Sequence, residues 1–155
     1  MARTSVCARR SRSKSSVQEV NDAILTFKNY KNWNTFVYDG VPPAGVNGPA
    51  DVKVGMGIQF SSTGIPPGVN STSTDIITSV ERPYFAAWEN VEYENLIGHS
   101  EHCLLSVPLS NGYTQFTHWQ TQLGAEAGNL YHSKVYFQRA FEIEVQDLKR
   151  YVEST

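Results

Sequence analysis

The chain has 155 residues, 40% of them hydrophobic and 18% charged, with a formal net charge of −2. That is a globular composition, long enough to bury one hydrophobic core. The charge balance argues against nucleic acid as a partner, and no apolar run reaches the roughly 20 residues that a membrane-spanning helix needs.

Residues 1–16 carry Arg3, Arg9, Arg10, Arg12 and Lys14 and no acid. With no apolar stretch, 1–15 reads as a basic disordered tail and not as a secretory leader. A cytoplasmic address is expected. An Arg- and Ser-rich, acid-free start is also compatible with a mitochondrial presequence. Cys7 falls in the tail and Cys103 in an expected strand. A disulfide framework is therefore not expected, a reducing compartment fits, and Cys103 reads as a small core residue. Without a secretion signal the sequon Asn70-Ser71-Thr72 should stay unmodified.

Ordered structure is expected over 16–155. Ser16-Val17-Gln18-Glu19 reads as a capping box, in which the Ser hydroxyl takes an orphan amide and the Glu reaches back. Val20, Ala23, Ile24 and Phe27 follow at helical spacing. Residues 29–34, with Tyr30 and Trp33, read as a second short helix or turn, and 35–39 as a brief strand. Pro42, Pro43, Gly45, Gly48 and Pro49 mark 40–50 as a loop. In 52–60, Val52, Val54, Met56, Ile58 and Phe60 alternate with small or polar residues, the cleanest strand pattern in the chain. A second loop is expected over 61–73, then strands over 74–81, 84–93, 101–109 and 113–123. Asn111-Gly112 signals a hairpin, and such short connections imply antiparallel neighbours. From 127 to 153 the period becomes helical: Leu130, Phe137, Phe141, Val145, Leu148 and Val152 form one stripe on a helix of roughly 40 Å.

Short helices, a run of antiparallel strands and one long final helix make an α+β order. A curved sheet that grips a single helix need not close its core, and its concave side can hold an apolar pocket.

Several segments resemble the START-like, or SRPBCC, superfamily. Asn21-Asp22-Ala23-Ile24 and Tyr30-Lys31-Asn32-Trp33-Asn34 look like its opening helices and Trp-Asn turn. Val52-Lys53-Val54-Gly55-Met56 looks like its Val-x-x-Gly strand. Val80-Glu81-Arg82-Pro83 with Ala86-Ala87-Trp88 resembles its Leu-Ala-Trp strand pair. Tyr113-Thr114-Gln115-Phe116-Thr117-His118 and Gly124 resemble the last strand and the entry to the final helix. The polyketide cyclase/dehydrase-like branch is the nearest in pattern. The resemblance implies a helix-grip fold: about seven antiparallel strands around a long C-terminal helix, two short N-terminal helices and an internal ligand cavity. It fixes no reaction, because the fold hosts cyclases, carriers, receptors and chaperone co-activators. Members usually begin with a strand, which here falls in the basic tail. If that strand is missing, the unpaired edge favours dimerisation or instability, so a monomer or a homodimer is expected.

The candidate ligand-binding residues are Trp33, Tyr84, Trp88, Phe116, His118, Gln120, Phe137 and Phe141. Tyr84, Ala86 and Trp88 share one face of an expected strand, with Ala86 leaving room between two rings that could stack a planar ligand. Phe116, His118 and Gln120 share a face of the last strand, and Trp119 points the other way. His118, with Tyr84, is the candidate for handling protons at a carbonyl or enol. Each of these residues could equally be plain core. His99 and His102 lie three apart on a strand and face opposite sides, so no metal is expected from them. Glu89, Glu92, Glu94 and Glu101 read as a solvated face. No cofactor motif is present.

The leading expectation is therefore a binder of a small apolar, aromatic or polyketide-like ligand. The first alternative is a polyketide cyclase/dehydratase-type enzyme using the same cavity. The second is an interaction protein without a ligand, similar to chaperone co-activators.

Overall fold

The structure is a computed structural model and describes residues 3–90 and 92–154, with side chains from residue 8 onward. The side chain of Cys7 lies outside that description.

Seven strands form one antiparallel sheet in the order β1-β7-β6-β5-β4-β3-β2. They are β1 (Arg3–Ser13), β2 (Val37–Val41), β3 (Gly57–Thr63), β4 (Asn70–Glu81), β5 (Phe85–Asn90), β6 (His99–Pro108) and β7 (Thr114–Leu123). The helices are α1 (Val17–Leu25), α2 (Tyr30–Trp33), α3 (Glu94–Ile97) and the long α4 (Lys134–Ser154). This is the helix-grip architecture: a curled sheet with α4 laid across its inner face.

The capping box at α1 is present. Ser16 Oγ accepts from Glu19 N at 3.2 Å, and Ser16 N donates to the Glu19 carboxylate at 2.7 Å. The core is continuous from α1 through the sheet to α4, with Ile24, Phe27, Tyr30, Ile58, Ile77, Trp88, Leu104, Phe116, Val145 and Leu148 in one apolar cluster. Burial in β7 alternates without a break: Thr114, Phe116, His118, Gln120 and Gln122 are buried, their neighbours only partly. One face of that strand therefore meets α4 and the interior, as period two requires.

Four expectations need correction. The segment expected as a basic tail contains a paired strand, β1, which runs antiparallel along β7. Its inward positions Ser11 and Ser13 are small and polar and face α4, while Arg10 and Arg12 are exposed, so no apolar alternation marks it. Ser15 Oγ donates to Val152 O at 2.7 Å, tying the end of this strand to the last turn of α4. The second correction concerns 52–60: only Gly57 onward is strand. Pro49–Asp51 is a 3-10 turn, Gly55 turns the chain at φ +88°, and Val54 is 63% exposed. Only glycine takes that φ without strain. Third, the loop expected over 61–73 shrinks to 64–69, because Ser61 and Ser62 pair with Thr72 and Ser71 across β3 and β4. Last, the final helix starts at Lys134. Ala125–Ser133 forms 3-10 turns, anchored by buried Ala127 and Leu130, and α4 itself is 21 residues, about 30 Å long.

Candidate functional site

Sheet register sets up the interior. Ile77 on β4 pairs with Trp88 on β5, Trp88 with His102 on β6, and His102 with Gln120 on β7. One residue row away, Leu104 pairs with His118. On β4, Asp75 lies opposite Ile58 and Ser73 opposite Phe60. Two histidines, a glutamine and an aspartate thus line the concave side beside an aromatic wall.

They line two neighbouring spaces with walls in common. The inner one, about 80 Å³, has Trp88, Phe60, Asp75, His102, His118 and Glu144 among its walls. The wider one, about 280 Å³, adds Asn90, Gln120, Leu130 and Phe137 and reaches the rim at Ile65, Pro66 and Tyr93. Phe36, Ser62, Ser73, Asp75 and His102 are walls of both. Each alone is smaller than the roughly 300–1,000 Å³ usual for ligand pockets, and the two together come near its lower end. A separate groove of about 270 Å³ between the β3–β4 turn and α4 holds Arg139 but no carboxylate or imidazole.

The inner space carries a buried acid–base couple. Nδ1 of His118 lies 2.5 Å from Oε2 of Glu144, and both side chains are almost fully enclosed. The approach is close without the alignment of a hydrogen bond, and Nε2 of His118 has no partner among the described residues. Glu144 is held from the other side, where Asn34 Nδ2 donates to Oε1 at 2.8 Å. Asn34 Oδ1 in turn accepts from the amides of Phe36 and Val37 at 3.0 and 2.8 Å. Phe141, one turn before Glu144 on α4, stacks on the His118 ring with centroids 4.0 Å apart and planes at 22°. Position, tilt and charge partner of the imidazole are therefore set by three elements: the segment after α2, the strand β7 and the helix α4. Tyr30 OH donates to Ile24 O at 2.9 Å, and burial, then the Glu144 charge, raise its pKa well above that of a free phenol.

His102 sits beside this couple, its ring 5.8 Å from that of His118. Burial first, and His118 second, push its pKa down to about 3, although one edge of the ring opens on the cavity. The sign follows from linkage. The unfolded chain takes up a proton near pH 6.5 that the folded chain refuses until about 3, so stability is complete above about 6.5 and falls as the pH drops towards 3. Over that window wild type should lose up to about 1.4 kcal/mol per pH unit more than His102→Gln. Denaturant titrations at several pH values check this, and parallel pH profiles would contradict it.

Asp75 is the second buried carboxylate of the cavity wall. It accepts from Ser73 Oγ at 3.1 Å and from Asn90 Nδ2 at 2.8 Å. Burial raises its pKa against the opposing effect of those two hydrogen bonds.

Of the eight sequence candidates, Trp88, His118, Gln120 and Phe137 are cavity walls, and Phe141 backs the His118 ring. Three lie elsewhere. Tyr84 is 51% exposed in the turn before β5, because the Arg82-Pro83 turn extends one residue further than the strand pattern suggests. Trp33 packs on Tyr30 and Tyr151 in the core. Phe116 packs against Val20, Val145 and Leu148 beneath α4. Sequence reading missed Asp75, Glu144 and the inward role of His102. Glu144 had a signal: with Phe137, Phe141 and Leu148 it continues the 4-3-4 spacing of the buried stripe. Asp75 shares the period-two face of Ile77. His99, by contrast, points outward and pairs with Glu89 at 3.0 Å, on the opposite side from His102 as expected. Among the described residues no cluster suited to a metal ion is found.

No protein-family model and no curated protein sequence matches the chain. Solved structures do share its fold. An aromatase/cyclase from Streptomyces sp. R1128 aligns at TM-score 0.76 and 10% identity, over 98% of this chain and 94% of that one. A norcoclaurine synthase point mutant from Thalictrum flavum, in complex with a transition-state analogue, aligns at 0.72 and 8% identity, over 99% and 96%. Major latex-like protein 151 from Panax ginseng aligns at 0.69 and 10% identity, over 97% and 98%. At these identities the likeness is one of fold, the helix grip.

Proposed function

We propose that this START-like helix-grip chain binds a small molecule with a planar apolar body in its cavity and moves a proton on it with His118. The His118–Glu144 couple at the inner end of the cavity is the observation that carries this reading. A carboxylate beside Nδ1 favours the tautomer with the proton on Nδ1 and leaves the Nε2 lone pair free. Nε2 then takes a proton from carbon next to a ligand carbonyl, giving an enolate and an imidazolium. Glu144 stabilises the imidazolium, which returns the same proton to a departing hydroxyl as water leaves. Such a cycle is the general acid–base chemistry of a cyclase or dehydratase. Two of the fold neighbours are named for an aromatase/cyclase and a synthase, which supports the reading. The unfilled space favours a ligand over an interaction protein without one.

Phenylacetone, an aryl ketone, is the test compound. Added protein should speed exchange of its α-hydrogens with solvent deuterium. Exchange no faster than in buffer would remove the proton-transfer reading.

A carrier that binds without reaction is the second reading. The ring wall favours it: Trp88 packs on Phe60 at 5.5 Å and on Phe27 at 6.0 Å, presenting a broad apolar surface. In either case Trp88→Ala should weaken binding of an aromatic ligand by about 1–3 kcal/mol, the worth of the area it buries. Calorimetric titration checks this, and an unchanged affinity would take Trp88 out of the site.

A further inference from the structure

We infer that the cavity holds a hydrogen-bond-donating head group of its ligand, an ammonium or a phenolic hydroxyl, between Asp75 and Gln120. This rests on the ligand-binding reading above and adds the chemical class of the ligand.

Asp75 and Gln120 are both walls of the wider space, and each has an oxygen to which no side chain or amide of the described residues donates. Asp75 is 5% exposed, and both of its hydrogen bonds, from Ser73 and Asn90, arrive at Oδ1. Among the described residues none reaches Oδ2, and no Lys, Arg or His forms an ion pair with this carboxylate. Gln120 is 1% exposed. Its Nε2 donates to Gln122 Oε1 at 2.9 Å, which fixes the amide and leaves its own Oε1 unpartnered. A buried polar atom such as Gln120 Oε1 is seldom left unpaired, and a carboxylate oxygen is the stronger acceptor of the two. A ligand that supplies donors satisfies both. One that presents a carboxylate meets two acceptors and is rejected.

The same geometry orients the ligand. Asp75 and His102 are walls of both spaces, whereas Gln120 belongs to the wider one and His118 to the inner one. A head group at Asp75 and Gln120 therefore places the apolar body against Trp88 and its far end towards His118.

Three probes share one body and differ only in the head: phenethylamine, 4-ethylphenol and ethylbenzene. Each is titrated into the wild-type protein with ligand-observed NMR. At least one of the first two should bind about tenfold or more tighter than ethylbenzene, as expected for a hydrogen bond to a charged group. Asp75→Asn and Gln120→Leu should each remove most of that preference. A greater loss for the amine than for the phenol in Asp75→Asn identifies an ammonium, and the reverse a hydroxyl. Equal binding of all three probes to wild type, which needs no variant to fold, overturns the head-group assignment alone. So do folded variants that keep the full preference. Failure of all three to bind overturns the ligand-binding reading with it.

Discussion

His118→Gln should slow α-hydrogen exchange on bound phenylacetone by about 10²–10⁴-fold, the usual contribution of a general acid–base group. Its effect on phenylacetone affinity should stay within about 0.5–1.5 kcal/mol, the net worth of one hydrogen bond. Glutamine keeps a polar planar group at the buried position but cannot take up and return a proton as an imidazole does. Glu144 acts through the imidazole and is a positioning residue. Glu144→Gln should slow exchange by less than His118→Gln, because the imidazolium formed in the step loses its carboxylate partner. Rate and affinity measured side by side decide the matter. Loss of binding in step with loss of rate would make His118 a binding group only.

Phe141→Ala should destabilise the fold by about 3–5 kcal/mol in a denaturant titration. The side chain is fully buried, with Phe36, Phe137, His102 and His118 around its ring. Truncation leaves a cavity bounded by rigid sheet on one side and by α4 on the other, so collapse is limited. It also removes the face on which His118 stacks, and exchange should slow in protein that is still folded. A loss below about 1 kcal/mol would mean that α4 does not press this residue into the interior.

The parts of the fold legible in sequence are those where a local pattern coincides with a buried face. Ser16 and Glu19 mark the start of α1 because the cap is made within four residues. Phe141, Val145, Leu148 and Val152 mark the buried stripe of α4, and Phe116, His118 and Gln120 the inward face of β7. β1 escaped notice because its partners are β7 and α4, distant in sequence, and small serines suffice where a strand passes close beneath a helix. The site was half legible for the same reason. His118 stood out as a polar residue on an apolar face. Asp75 and His102 owe their positions to cross-strand rows, Asp75 opposite Ile58 and His102 between Trp88 and Gln120, which exist only once the register is set. Tyr84 failed because a turn one residue longer than expected moved it out of the strand.

The Glu144 carboxylate beside Nδ1 is proposed to favour the His118 tautomer with its proton there, which leaves Nε2 to act on a ligand. Long-range ¹H–¹⁵N NMR of the His118 ring tests it directly, with and without phenylacetone. The expected result is a ring proton on Nδ1 and an Nε2 resonance that shifts when phenylacetone binds. A proton on Nε2, or an Nε2 resonance unmoved by saturating phenylacetone, would contradict it.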